Sequence, residues 1–498
     1  MKCYIKVLAI VFALACGQRC HAEAAGGADT LRLSLDRAIA MARASSVDAA
    51  VARNQLREAY WNYRTYRADL LPEMDFAATI PSYRKSYSSY QLEDGRYTFV
   101  RNNVMQMTGE VSITQNIWLT GGSLSLTTSL DWLRQLDAPA GTANRFMAVP
   151  VVLRLNQPIL GVNSLKWRRR IEPVRYREAL AQYISQTEGV AMSAITNYFN
   201  LLMAEVNLDI ARQNFENSVK LYEVAEAMYG MGQISRNDLL QLELNRLSAE
   251  GDLTSALTDM KASMFALRSF LGISQDVEVA TELPGEIALG EVAYPDVLEK
   301  ALDRNALSAS LRRRQLEADY SVATAKGNRR QIDLFAQVGF TGADSRLGGA
   351  YGPLKDNQMV EIGFKIPILD WGKREGKVKV AQSNRDVVES RLRKERLDFE
   401  QDIFILVERF NHQRRQLALA ERADTISARR YDTNVETFLV GRISTLDLND
   451  SRVSKDENRR SVIDRLYLAW YYYYQLRSLT LWDYLTDTPI EPDLEIKG

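Results

Sequence analysis

Leu124, Leu126, Thr128, Leu130 and Trp132 alternate with Ser123, Ser125, Thr127, Ser129 and Asp131. Val360, Ile362, Phe364 and Ile366 alternate in the same way with Glu361, Gly363 and Lys365, and Val111 and Ile113 are set against Glu110, Ser112 and Thr114. Met74, Phe76, Ala78 and Ile80 repeat the pattern against Glu73, Asp75, Ala77 and Thr79. A period of two over about ten residues predicts strands whose two faces meet different surroundings. The spacing predicts strands at about 73–83, 107–118, 122–133 and 147–158, and again at about 332–342 and 358–369. A water-soluble sandwich gives this alternation too. The aromatic residues that flank it (Tyr83, Trp118, Trp132 and Trp371) favour a barrel wall with an apolar outside and a polar inside. The expected lipid-facing set is Leu124, Leu126, Leu130, Trp132, Val360, Ile362, Phe364 and Ile366.

Between the strand groups the period changes to seven. Leu180, Thr187, Ala194, Leu201, Leu208, Phe215, Tyr222 and Tyr229 form one series, and Ile403, Phe410, Leu417, Tyr431 and Phe438 another, broken at Asp424. Sustained heptads predict helices packed as coiled coils. The two helices are expected at about 164–229 and 373–438, each roughly 100 Å long at 1.5 Å per residue. Shorter helices are expected at about 31–71, 236–271, 296–330 and 445–485. The aromatic run from Trp470 to Tyr474 places Tyr467, Trp470, Tyr471 and Tyr474 on one helical face, which is read as packing.

The chain also repeats itself. Pro158-Ile159-Leu160 recurs as Pro367-Ile368-Leu369, Gly232-Gln233-Ile234-Ser235 as Gly441-Arg442-Ile443-Ser444, and Asp238-Leu239 as Asp447-Leu448. All three pairs are offset by the same 209 positions, from 158 to 367, 232 to 441 and 238 to 447. An internal duplication that keeps helix length to the residue suggests a molecule built to span a distance. The organisation read from this is a leader over 1–22, repeat 1 over 23–275, a linker over 276–295, repeat 2 over 296–485 and a tail over 486–498. Phe76-Ala77 matches Phe335-Ala336 at a larger offset, 259, so the first copy carries an extra hairpin. Four to six strands are too few to close a barrel, since barrels begin at about eight strands. An open edge is not tolerated in lipid. Several chains must therefore complete the barrel.

Composition narrows the function. Lys+Arg and Asp+Glu are equal at 63 each, so no charge excess points to nucleic acid. Lys2 and Lys6, an apolar run from Val7 to Ala15 and Cys20-His21-Ala22 read as an export signal cleaved after Ala22. Ala13 makes the stretch before Cys16 a poor lipid-attachment box. The three cysteines, Cys3, Cys16 and Cys20, fall inside that leader, and His412 is the one histidine beyond it. Neither a nucleophile–base set nor a metal-ligand cluster is legible, so no cofactor and no enzymatic activity are expected. No later stretch approaches the 18 or so apolar residues of a membrane helix.

A duplicated strand–long helix–turn–helix unit, exported and incomplete as a single chain, resembles the TolC-type outer-membrane efflux proteins. Gln157-Pro158-Ile159-Leu160, the Pro-Ile-Leu-Asp-Trp-Gly stretch at 367–372 and the two Gly-x-Ile-Ser turns carry the resemblance. It implies an α+β membrane protein: a transmembrane β-barrel, completed by a homotrimer, on a long α-helical coiled-coil barrel in the periplasm. It implies a passive exit duct in the outer membrane, met by a periplasmic adaptor protein and an inner-membrane transporter of the RND or ABC type, with outer-membrane lipid around it. Asp447 and Asp450 match the acidic rings of the family's periplasmic gate. Gly232, Asp238, Phe438, Gly441 and Arg442 match its tip and adaptor contacts. Phe438 stands where the family has a tyrosine, and Arg442 is displaced by one position. Ser235 with Asp238 and Ser444 with Asp447 also fit capping boxes, a helix-start role that needs no gate. The competing reading of the whole chain is an exported coiled-coil scaffold or adaptor without a pore. Whether the barrel has 12 or 18 strands depends on whether the extra hairpin joins its wall.

Overall fold

A computed structural model describes residues 31–138, 141–288, 290–329, 331–352, 354–365, 369–439 and 442–492. The expected leader therefore lies outside the described residues, as do Ile366 and Gly441. The chain divides into two compact units. The first takes the chain up to Ser46 with Ala194–Gly285 and Asp424–Ile463, and the second takes Val47–Ser193, Glu286–Ala423 and the chain from Asp464.

The second unit holds six antiparallel strands in one sheet: β2 (Glu73–Gln91), β3 (Tyr97–Ile117), β4 (Gly122–Ala138), β5 (Gly141–Leu160), β7 (Gln331–Asp344) and β8 (Lys355–Lys365). Their order is β2-β3-β4-β5-β7-β8. The extra hairpin is thus part of the six-stranded sheet, hydrogen-bonded on both sides, and the strands run longer than their alternation suggested. The outer ends of β2 and β3 continue as a two-stranded hairpin. The β3–β4 ladder stops at Val104↔Gln135, whereas β2 and β3 stay paired to Gln91↔Tyr97. Lys85, Arg101 and Asn103 interrupt the aromatic series of Tyr83, Tyr87 and Phe99 there, which is why the sequence pattern fades.

Two long helices follow β5 and β8: α3 (Ser164–Gly230) and α7 (Lys373–Leu439), each of 67 residues. On α7 every member of the heptad series is buried (Ile403, Phe410, Leu417, Tyr431 and Phe438), and Leu406, Gln413, Ala420 and Ser427 bury the alternate positions. Steps of three and four give the 3.5-residue seam of a coiled coil. Asp424, which breaks the series, accepts an ion pair from Arg459 at 3.3 Å. On α3 the seam weakens: Ala194 and Leu201 are buried, but Tyr229 is 41% exposed.

Two expected helices are each broken once. The first is α1 (Leu35–Ser45) and α2 (Val47–Ala68), and its later counterpart is α5 (Tyr294–Arg304) and α6 (Ala306–Gly327). Ser46 and Asn305 are both extended there, with ψ near 150°. Asn305 is buried, its Oδ1 capping Leu307 N–H at 2.8 Å and its Nδ2 donating to the Leu479 carbonyl at 2.7 Å. Asn305 rewards its break by capping the next helix, and hydrophobic periodicity does not record that. The remaining helices are α4 (Arg236–Leu271) and α8 (Thr445–Thr480). α8 stops short of the expected 485 because Leu481 takes a left-handed φ of 51°.

Small sheets pin the loops. In the first unit β1 (Leu31–Leu33) pairs in parallel with β6 (Val279–Thr281), inside the stretch read as a linker. Tyr198, wholly buried, donates its hydroxyl to the Leu33 carbonyl at 2.8 Å. Burial raises its pKa to about 12. In the second unit β9 (Trp482–Asp483) pairs with β10 (Thr488–Pro489).

Candidate functional site

The sheet is the first candidate. Cross-strand register decides which side chains share a face, because Cβ atoms alternate along each strand. Phe76 lies opposite Val111, Ile113 opposite Leu126, Leu126 opposite Leu153, Leu153 opposite Val338, and Ala336 opposite Val360. Leu124, Leu130, Trp132 and Ile362 fall on that same apolar face by parity. The Phe364 backbone lies opposite Ile332. The other face carries Asp75 opposite Ser112, Glu110 opposite Ser129, Thr108 opposite Asp131, Ser125 opposite Arg154 and Arg154 opposite Gln337. Side-chain bonds knit that face: Thr108 Oγ1 donates to Asp131 Oδ1 at 2.5 Å, and Arg154 Nε to Gln337 Oε1 at 3.0 Å.

The apolar face is bare. Phe76 is 74% exposed, Val360 72% and Ile362 62%. Exposed apolar area on this scale marks an interaction surface. Its height and its alternation with a polar face fit a bilayer's hydrocarbon core on one side and an aqueous lumen on the other. Strands β2 and β8 are the open edges of the sheet.

The second candidate is the helical tip, in the first unit. The turn from α3 to α4 uses Gly232 at φ 70°, a left-handed backbone that suits glycine. Ser235 Oγ accepts from Asp238 N–H at 3.2 Å, while the Asp238 carboxylate accepts from Ser235 N–H at 3.3 Å. Ser444 and Asp447 repeat this at the start of α8, at 3.2 and 3.3 Å. Both are reciprocal capping boxes. The Ser444 hydroxyl and then its backbone N–H hold the Asp447 carboxyl below its ordinary value.

Asp450 does not cap. Its carboxylate accepts from Arg430 of α7 at 2.7 Å, and both side chains are half exposed or more. The sequence reading missed Arg430, which sits at no heptad position and twenty residues away, so no local signal marked it. Phe438 is corrected: it is 6% exposed, packed with Ala225, Leu242, Tyr431 and Leu448. The missing hydroxyl is explained by burial. A tyrosine there would have to satisfy an O–H inside an apolar cluster. Phe438 is a core residue and is not available to a partner. Arg442 is exposed, and its N–H bonds the Thr437 carbonyl at 3.1 Å.

The second unit also holds a buried ion cluster outside both candidates. Arg477 donates to Glu188 Oε2 at 2.9 Å and to Asp483 Oδ2 at 2.6 Å, with Tyr473 donating to Asp483 at 2.5 Å. Among the described residues no group of acids, histidines and cysteines could hold a metal ion, and no helix is long and apolar enough to cross a membrane.

A sequence model of the outer membrane efflux protein family matches residues 38–273. The matched stretch, 236 of the 498 residues, is similar to that family. Solved outer-membrane proteins and channels share the chain's fold at low identity. The Campylobacter jejuni CmeC outer membrane channel matches with a TM-score of 0.63 at 16% identity, over 90% of this chain and 85% of that one. The Vibrio cholerae outer membrane protein VceC matches with 0.62 at 14%, over 92% and 97%. The open state of the Neisseria gonorrhoeae MtrE outer membrane channel matches with 0.58 at 15%, over 90% and 88%. No curated protein matches the chain by sequence. The family model ends at 273, and beyond it the likeness is one of fold alone.

Proposed function

We propose that this chain is one protomer of an outer-membrane exit duct, a passive channel through which an efflux system discharges its cargo. The observation that carries this is the sheet: one face bare and apolar, the other polar and hydrogen-bonded, in a chain whose residues 38–273 match the outer membrane efflux protein family. A periplasmic scaffold has no use for exposed Phe76, Val360 and Ile362, which in water would drive aggregation.

The finer reading follows from the unpaired edges. In lipid each unpaired backbone group costs several kcal/mol, so β2 of one copy must meet β8 of the next. The two run antiparallel around the ring, as the alternation of strand direction requires. Three copies, the number the family resemblance implies, would give 18 strands, wide enough for a water-filled lumen. The equal lengths of α3 and α7, both 67 residues, support a duplicated tunnel wall held in register. The Asp447 and Asp450 carboxylates would ring the periplasmic mouth, and the tip turns at Gly232, Asp238, Gly441 and Arg442 would meet a periplasmic adaptor serving an inner-membrane transporter.

Conductance of the purified chain in planar bilayers tests the duct. Large, stable, water-filled channels are expected. Protein that extracts without detergent and yields no channels would instead favour the scaffold.

A further inference from the structure

At the helical end of the sheet the chain holds an indole in a place that packing does not explain. Trp371 is 89% exposed and has a left-handed φ of 52°, an unusual conformation for a bulky side chain. The strain is built in. The Asp370 carboxylate accepts from Gly372 N–H at 3.0 Å and from Arg374 N–H at 3.2 Å, so capping α7 forces the turn that projects Trp371. Strained backbone of this kind clusters at functional sites.

Cations without an ion-pair partner among the described residues surround the same end of the sheet. The Arg169 guanidinium stacks 3.6 Å over the Trp118 ring, in the turn between β3 and β4. Lys166, Lys373 and Lys377 are exposed on the first turns of α3 and α7. Among the described residues none of these four is ion-paired. Three nearby acids are engaged: Asp69 with Arg168, Glu172 with Arg175 and Glu375 with Lys379. The two helix starts and the turn adjoin one another. Asn163 Nδ2 donates to the Trp118 carbonyl at 2.9 Å, and the first pairs of β5–β7 and β7–β8, Leu160↔Ile332 and Gln331↔Lys365, lie side by side. The exposed apolar side chains Leu119, Ile159, Leu160 and Leu369 mark the same level.

We propose that this collar is a binding site for anionic phospholipid of the leaflet nearest the helices, with Trp371 and Trp118 at headgroup depth and Arg169, Lys166, Lys373 and Lys377 on the phosphates. Tryptophan favours the membrane–water boundary, and clusters of four or more lysines and arginines beside it select anionic headgroups. The proposal rests on the reading that the apolar face of the sheet meets lipid.

The test uses the full chain reconstituted into vesicles of phosphatidylcholine with and without phosphatidylglycerol. Lipid retained after detergent extraction is then identified by mass spectrometry. Phosphatidylglycerol should be retained over phosphatidylcholine by about tenfold or more. Replacing Lys166, Arg169, Lys373 and Lys377 with Gln should abolish that preference, while Arg169→Lys should keep most of it. Trp371→Asn, which suits the left-handed turn, should leave the folded chain as stable in detergent yet reduce quenching of its fluorescence by brominated phosphatidylglycerol. Equal retention of both lipids by the parent chain, or displacement of phosphatidylglycerol by inorganic phosphate at matched concentration, overturns the site. Failure to enter phosphatidylcholine vesicles at all would instead overturn the barrel.

Discussion

The Arg430 guanidinium donates to the Asp450 carboxylate at 2.7 Å, from the long helix that enters the tip to the short helix that leaves it. One acid at the expected gate is therefore ion-paired within its own chain. A ring of bare carboxylates would repel itself and gather cations, and a ring of paired ones does so far less.

Arg430→Gln should expose the acidic ring. We expect a stronger block of conductance by divalent cations added to the periplasmic side, and loss of that block in Arg430→Gln/Asp450→Ala. Because both side chains are half exposed or more, breaking the pair should cost under about 1 kcal/mol of stability. Single-channel recording of the parent and both variants decides it. Identical block in all three would place the constriction elsewhere.

The capping boxes should govern how the tip frays. Ser235→Ala and Ser444→Ala are each expected to destabilise their helix starts by about 1 kcal/mol. The Asp447 carboxyl lies below its ordinary value of 3.8 because of Ser444. A depressed folded pKa adds stability that is complete above 3.8 and is lost as pH falls through the lower folded value. Helix-tip protection in hydrogen exchange should thus weaken only in acid, and Ser444→Ala should flatten that dependence.

Arg477 sits 12% exposed between Glu188, 2% exposed, and Asp483. Arg477→Met strands two carboxylates and should cost about 3–5 kcal/mol. Adding Glu188→Gln and Asp483→Asn should recover much of it. Burial raises the Asp483 pKa, but the Tyr473 hydroxyl, the Arg477 charge and two backbone N–H groups together bring it below 3.8. That part of the stability is present above 3.8 and fades as pH drops through the lower value. Thermal melts of the three variants between neutral and acid pH measure both effects.

Closure of the barrel predicts a specific seam. Cysteines occur only at 3, 16 and 20, so Ala78→Cys with Val360→Cys adds a single reactive pair beyond the expected leader. Oxidation should join copies into a ladder that ends at three, and particle images should show 18 strands. A ladder ending elsewhere, or a wall of 12 strands, would refute this assembly.

Length matching predicts an asymmetry between deletions. Removing 201–207 from α3 alone should abolish assembly, since every later heptad contact shifts. Removing 410–416 from α7 as well should be much milder. Crosslinked trimer yield reports both, and equal damage would argue that the two helices are not held in register.

Much of the sheet was legible because lipid and lumen impose opposite demands on alternate residues, and Leu124 to Trp132 records them directly. Long helices were legible for a similar reason: on α7 the seam repeats every seven residues from Ile403 to Phe438. The break at Asn305 was not, since a cap bond involves one residue and leaves no periodicity. Asp447 was legible as a cap through its spacing from Ser444. Phe438 was misjudged because sequence position placed it at the tip, while its burial depends on Leu242 and Leu448 arriving from two other helices.

By itself the sequence determined what depends on neighbours along the chain: strand faces, helix lengths, glycine turns and capping boxes, all fixed by local geometry and the solvent each face meets. Tertiary structure alone decided what depends on distant segments meeting. It placed the extra hairpin inside the six-stranded sheet, because strand pairing is chosen by backbone hydrogen bonds that carry no residue label. It paired Asp450 with Arg430 and Arg477 with Glu188, because an ion pair forms wherever folding brings opposite charges within reach.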